Sequence, residues 1–170
     1  MQKRPSWDEY FTDLVVQVAR RATCDRGRSG CVVVRDKQIL CTGYVGSPPS
    51  LEHCDDVGHL LKNVTGSDGV TRQHCVRTIH AEQNAIAQAA RHGISLDGST
   101  FYCSMEPCRT CAMLIVSVGA SRVVARAAYH AAEESRLILA AAGIQLEVLD
   151  TSPVQYADQL VTTPPNGTDG

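Results

Sequence analysis

Apolar residues at Phe11, Leu14, Val15, Val18 and Ala22 recur every three or four positions, so residues 5–22 read as an amphipathic helix opened by Pro5 and Ser6. The pattern then changes. Cys31-Val32-Val33-Val34-Arg35 and Gln38-Ile39-Leu40-Cys41-Thr42 are short β-branched or apolar runs, and Asp36-Lys37 between them is a connection of hairpin length. Residues 43–78 carry Gly, Pro, Ser and Asp with little periodicity, which predicts a long loop that is functional or stapled by metal. From His80 the helical period returns in Ala81, Ala85, Ile86 and Ala89, and Gly93 ends it. A strand at 100–104, a helix at 108–118 stopped by Gly119, a strand at 122–125, a helix at 131–142 stopped by Gly143 and a strand at 144–149 follow. This alternation predicts a parallel sheet covered by helices, joined to an antiparallel first pair. Residues 1–150 read as one domain and 151–170, with Pro153, Pro164 and Pro165, as a loosely held tail.

Composition narrows the class. A chain of 170 residues with 44% hydrophobic residues can build one core. A formal charge of −2 and a pI near 6.3 disfavour a partner of bulk nucleic acid but leave room for a small phosphorylated ligand. No run of 18 apolar residues exists, which excludes a helical membrane span. No apolar stretch follows Lys3 and Arg4, so no secretory signal is visible. The eight cysteines are therefore expected in a reducing cytoplasm, as thiols or metal ligands rather than disulfides.

The chemistry concentrates in His80-Ala81-Glu82 and Pro107-Cys108-Arg109-Thr110-Cys111, which open two different predicted helices. One turn of helix puts the two sulfurs on one face, and a helix N-terminus favours thiolates. One imidazole and two thiolates give a zinc ion three ligands and leave a fourth position for water, the arrangement of a catalytic site. Lone Cys-x-x-Cys pairs are often structural. Glu82, two residues past the histidine, is placed to move protons, although a capping or solvated carboxylate would also suit that position. Cys24, Cys54, His59 and Cys75 remain around the long loop as a possible second, structural zinc set, with His53 and His74 as neighbouring substitutes.

The pattern His-x-Glu with Pro-Cys-x-x-Cys is the signature of the zinc nucleobase deaminases. With Thr23-Cys24, Gly43-Tyr44-Val45-Gly46, His53-Cys54-Asp55-Asp56-Val57-Gly58, His80 to Ile86 and Tyr129-His130, the chain resembles the deoxycytidylate (dCMP) deaminase family, including the late-competence ComE-type proteins, over residues 7–150. The resemblance implies a three-layer α/β/α cytidine-deaminase-like fold with a five-stranded mixed sheet. It implies hydroxide adding to C4 of cytosine, with Glu82 shuttling protons as dCMP becomes dUMP and ammonia leaves. His80, Cys108 and Cys111 would hold the catalytic zinc. Ala81, Tyr129, Val45, Arg26 and Arg28 would meet the substrate, with Tyr129 stacking on the base and the arginines near the phosphate. Homo-oligomers, often hexamers, and dCTP or dTTP as effectors are implied too. Val45 departs from the family, which usually has an asparagine there that contacts the sugar, and so puts the nucleotide's identity in question. Deamination of another base, or a zinc-stabilised DNA-uptake accessory without turnover, are the rival readings.

Overall fold

The computed structural model describes residues 4–66 and 69–154. In chain order its elements are α1 (Trp7–Ala19), β1 (Gly30–Arg35), β2 (Gln38–Tyr44), α2 (Cys54–Val57), β3 (Leu61–Thr65) and β4 (Thr71–Cys75). They continue with α3 (Ala81–His92), β5 (Thr100–Met105), α4 (Arg109–Ser117), β6 (Arg122–Tyr129), α5 (Glu133–Ala141) and β7 (Gln145–Val154).

Ser6 starts α1 through a reciprocal cap: its Oγ accepts from Glu9 N at 3.2 Å, and Glu9 Oε2 accepts from Ser6 N at 2.6 Å. The helix is shorter than its apolar period suggested, because residues 20–22 fold into a turn closed by Ala22 N–H on Ala19 O at 3.0 Å. The hairpin between β1 and β2 holds as expected. Asp36 and Lys37 both take positive φ, 53° and 62°, the conformation whose twist matches that of the flanking strands.

The main sheet runs β2-β1-β5-β6-β7. β1 is antiparallel to both neighbours, while β5, β6 and β7 are parallel. Alternation along the strands then builds two cores. Val32, Val34, Tyr102 and Val124 meet Phe11 and Val15 of α1 on one face. Cys31, Val33, Phe101, Cys103 and Val123 meet α3, α4 and α5 on the other, through Ala85, Ile115 and Leu139. The crossovers through α4 and α5 lie on this same face, as right-handed connections moving one way along a sheet require. The mixed five-stranded α/β/α architecture is as expected.

Two departures concern the ends and the middle. The segment 43–78 is not one long loop: it holds the end of β2, the short α2, and a separate antiparallel pair, β3 with β4. β3 is exposed throughout and has no core face, so it leaves no period-two hydrophobic signal. β7 runs on to Val154, pairing with the end of β6, and residues 155–170 of the expected tail lie outside the described residues. Among the described residues, no helix is long and apolar enough to cross a membrane.

One glycine places the next element. A Cβ on Gly43 would fall 2.2 Å from Ala81 O and 2.4 Å from Ala85 N, so only glycine lets β2 run against the first turns of α3.

Candidate active site

His80 and Cys108 occupy equivalent places, each the extended residue just before a helix: His80 before α3 (φ −72°, ψ 160°) and Cys108 before α4 (φ −70°, ψ 170°). Glu82 and Cys111 follow inside the first turns. Gln83 fixes the α3 entry by accepting from His80 N at 2.9 Å. The loop into α3 is pinned to the Gly43–Gly46 segment by Asn84 Nδ2 donating to Tyr44 O at 2.9 Å and by the paired backbones of Gly46 and Ile79.

Three donor atoms converge. His80 Nδ1 lies 3.5 Å from Cys108 Sγ and 3.5 Å from Cys111 Sγ. Bond lengths of about 2.05 Å to nitrogen and about 2.3 Å to sulfur give a tetrahedral N–S edge of about 3.6 Å, so both N–S edges of the set match a zinc site. His80 is exposed, Cys108 half-buried and Cys111 buried, and the open side faces a cavity of about 120 Å³. Buried Glu82 stands next to this set, its Oε2 accepting from Cys111 Sγ at 3.5 Å.

The charges are coupled. Neighbouring Cys111 and His80, against the opposing effect of burial, bring the Cys108 thiol down to about 4. The bond to Cys108 raises His80 to about 9. The adjoining Cys108, burial and nearby Glu82 push the Cys111 thiol up. Burial pushes the Glu82 carboxyl up, with His80 opposing. Without metal, these shifts favour a thiolate at Cys108 paired with a protonated His80, beside a Cys111 thiol that keeps its proton.

Val45, Ala81, Tyr129 and Arg26 all line the same cavity as Glu82. Arg28 does not: it is exposed at the end of the 3-10 turn Asp25–Gly27, outside the cavity lining. Ser29, Thr78 and Glu106, which the sequence reading left out, also line the cavity, as does His74, which it offered only as a substitute ligand for the second metal. Glu106 is fully buried and receives Arg136 of α5 in a two-pronged pair, Nε to Oε1 and Nη2 to Oε2, both 2.7 Å. It also accepts from Tyr129 N at 2.9 Å, which fixes the end of β6. Its position directly before Pro107-Cys108 was the available signal.

Cys24, Cys54, His59 and Cys75 form a second group, all donor atoms within 4.8 Å of one another. Cys24 Sγ is 3.6 Å from His59 Nδ1, and Cys54 Sγ is 3.4 Å from Cys75 Sγ. Asp25 Oδ1 sits 3.0 Å from His59 Nε2, the carboxylate partner that orients metal-binding imidazoles. Burial raises the Cys75 thiol, but backbone N–H groups of Arg77 and Leu60 and the side chains of Cys54 and His59 outweigh it and bring it to about 7. Burial and its sulfur neighbours push Cys54 up to about 12. His53 and His74 are not in the group.

Residues 5–127 match the model of the cytidine and deoxycytidylate deaminase zinc-binding region. The chain belongs to this family. It is 41% identical over 142 residues to the deoxycytidylate deaminase of Saccharomyces cerevisiae, covering 83% of the chain but only 44% of that relative's length. It is 34% identical over 148 residues to ComE operon protein 2 of Bacillus subtilis, covering 87% of the chain and 74% of that protein. The dCMP deaminase of cyanophage S-TIM5, solved in complex with dCMP and dUMP, superposes with a TM-score of 0.68 at 26% identity, covering 86% of the chain and 99% of the phage protein. The resemblance read from the motifs, ComE-type proteins included, is borne out.

Proposed function

We propose that the chain hydrolytically deaminates a cytosine nucleotide, dCMP to dUMP, with release of ammonia. The observation that carries this is the buried Glu82 carboxylate beside a three-donor set whose open side faces a cavity. His80, Cys108 and Cys111 would hold zinc, which supplies Lewis acidity and makes water a nucleophile at neutral pH.

The chain's own residues do the rest. Glu82 takes the first proton of the attacking water and delivers it to N3 of the cytosine ring. It then collects the remaining proton of the added hydroxyl and passes it to the departing amine as the C4–N bond breaks and the C4 carbonyl forms. Its exclusion from solvent suits that work, because burial raises its pKa toward the working range. Tyr129 stacks on the base, held in place through Glu106. Ala81 and Val45 pack beside base and sugar. Val45 has already committed its backbone N–H to Ser29 O at 3.0 Å, and its carbonyl accepts from Thr23 N at 3.0 Å, so the sugar meets an isopropyl group. Arg26 is kept as a phosphate ligand; Arg28 is the weaker candidate, being outside the cavity lining. Exposed Met113 and Leu137, on the packed helices α4 and α5, favour self-association of the chain.

The second group would take a structural zinc: the Cys24–His59 spacing of 3.6 Å matches a nitrogen–sulfur edge, and the Cys54–Cys75 spacing of 3.4 Å would open slightly toward the sulfur–sulfur edge of about 3.8 Å. Closing that tetrahedron would fasten β4, α2 and the residues after α1, a region with little core of its own. The decisive test of the reaction is a panel of cytosine and purine nucleosides and nucleotides with the zinc-loaded chain, scored for ammonia. Release from dCMP at a rate well above that from any purine supports the reading. Release from purines alone, or from nothing, rejects it.

A further inference from the structure

We propose that Arg136 of α5 is a positioning residue for substrate binding: by holding the buried Glu106 carboxylate, it fixes the end of β6 and so sets the Tyr129 ring against the base. The inference rests on the reading of Tyr129 as the residue that stacks on the cytosine ring. It carries that reading outward, to a side chain that is not part of the cavity lining.

Burying a carboxylate is costly unless partners replace the water it loses. Glu106 lines the cavity with its side chain fully buried, and both of its oxygens are supplied. Oε1 accepts from Arg136 Nε and Oε2 from Arg136 Nη2, each at 2.7 Å, and Oε2 also accepts from Tyr129 N at 2.9 Å. The guanidinium reaches in from an exposed position on α5, and its planar fork matches the carboxylate edge to edge.

The contact spans a short connection. Residues 130–132 alone link β6 to α5, and Ala132 N–H bonds back to Tyr129 O at 3.2 Å. Arg136 N–H then bonds to Ala132 O at 2.9 Å, and α5 has no side-chain cap at Ala132. Glu106 therefore grips both sides of the link, Tyr129 before it through the backbone and Arg136 beyond it through the side chain. Its own backbone is anchored as well, N–H to Ala127 O at 3.0 Å. The Tyr129 ring, packed on the His130 ring at 4.5 Å between centroids, enters the cavity wall at the start of this link. Without the fork, a single backbone N–H would be left to hold a carboxylate in that wall. The carboxylate would turn toward water and release the Tyr129 backbone with it.

A double-mutant cycle on zinc-loaded protein tests this, using wild type, R136M, Y129A and the double variant. Affinity for dUMP is read by calorimetry, and bound zinc is counted in each. Loss of base–aromatic stacking predicts dUMP binding weakened roughly 10-fold in Y129A, with a loss of roughly 3- to 10-fold in R136M at unchanged zinc. Because the arginine acts through the ring, adding R136M to Y129A should weaken binding less than about twofold further. The KM for dCMP in R136M should rise with the loss of affinity, while kcat changes less than about threefold. Additive losses, a defect confined to kcat, or wild-type affinity in either single variant overturns the inference. Zinc lost from R136M also overturns it, by making the fork a support of the metal set. Should R136M not fold, R136K, which keeps the charge without the fork, takes its place in the cycle and is read by the same criteria. Wild type that binds no dUMP and deaminates no cytosine compound rejects the underlying reading instead.

Discussion

Four side chains, His80, Glu82, Cys108 and Cys111, show why the site was readable before any coordinates. Each stands in or just before the first turn of its helix, where spacing in sequence fixes spacing in space. The second group was legible in residue type, and the folded chain separated His59 from His53 and His74. Arg28 illustrates the limit: its position just after Arg26 made it a candidate, and the 3-10 turn leaves it on the surface. The coupled charges also give a prediction about metal uptake. In the metal-free site at neutral pH, His80 (about 9) and the raised Cys111 hold protons, while Cys108 (about 4) has already lost its own. Zinc must displace the first two, so binding at pH 7 releases about two protons and affinity climbs as pH rises toward 9. Calorimetry in buffers of different ionisation enthalpy counts those protons; release of none would contradict the charge assignment.

At the scale of elements, the helices and the strands that face a core were legible, because burial imposes a period. The β3–β4 pair was not, since exposed strands need no alternation, and the extension of β7 was hidden by the turn-like residues Thr151, Ser152 and Pro153. Two contacts that seat elements are open to test. Gly43→Ala drives a methyl into the backbone of α3 and should destabilise the fold by about 1–3 kcal/mol, with a matching loss of catalytic zinc, read by thermal unfolding and metal analysis. Docking of α1 depends on Asp8, which accepts from Arg122 at two 2.9 Å contacts and from the Tyr102 hydroxyl at 2.6 Å. Arg122 holds the Asp8 carboxyl below its usual range. A lowered folded-state pKa contributes stability above the unfolded-state value, and that contribution is lost as pH falls through the folded one. D8N should therefore lower stability at pH 7 by about 1 kcal/mol or less, the pair being partly in solvent, and the deficit should vanish at a pH below the Asp8 titration. A deficit that persists there would assign the effect to packing.

Seen whole, the molecule sets one donor group at the carboxyl ends of β5 and β6 and a second beside the β3–β4 pair, with Cys24 and Cys75 forming part of the cavity wall. The metal proposed for the second group would thus hold the β3–β4 pair against the cavity. C54S should lower zinc from about two to about one per chain, and unfold several degrees earlier, with the His80, Cys108 and Cys111 set still loaded. Unchanged metal content would remove the second site.

Turnover of dCMP by zinc-loaded wild type and Glu82→Ala, with bound zinc counted in both, decides whether the metal set and Glu82 form a deaminase site. The expected result is dUMP and ammonia from wild type, and a rate lower by roughly 10³-fold or more from the variant at undiminished catalytic zinc. A variant that turns over as fast as wild type, or a fully loaded wild type that leaves dCMP intact, would contradict it.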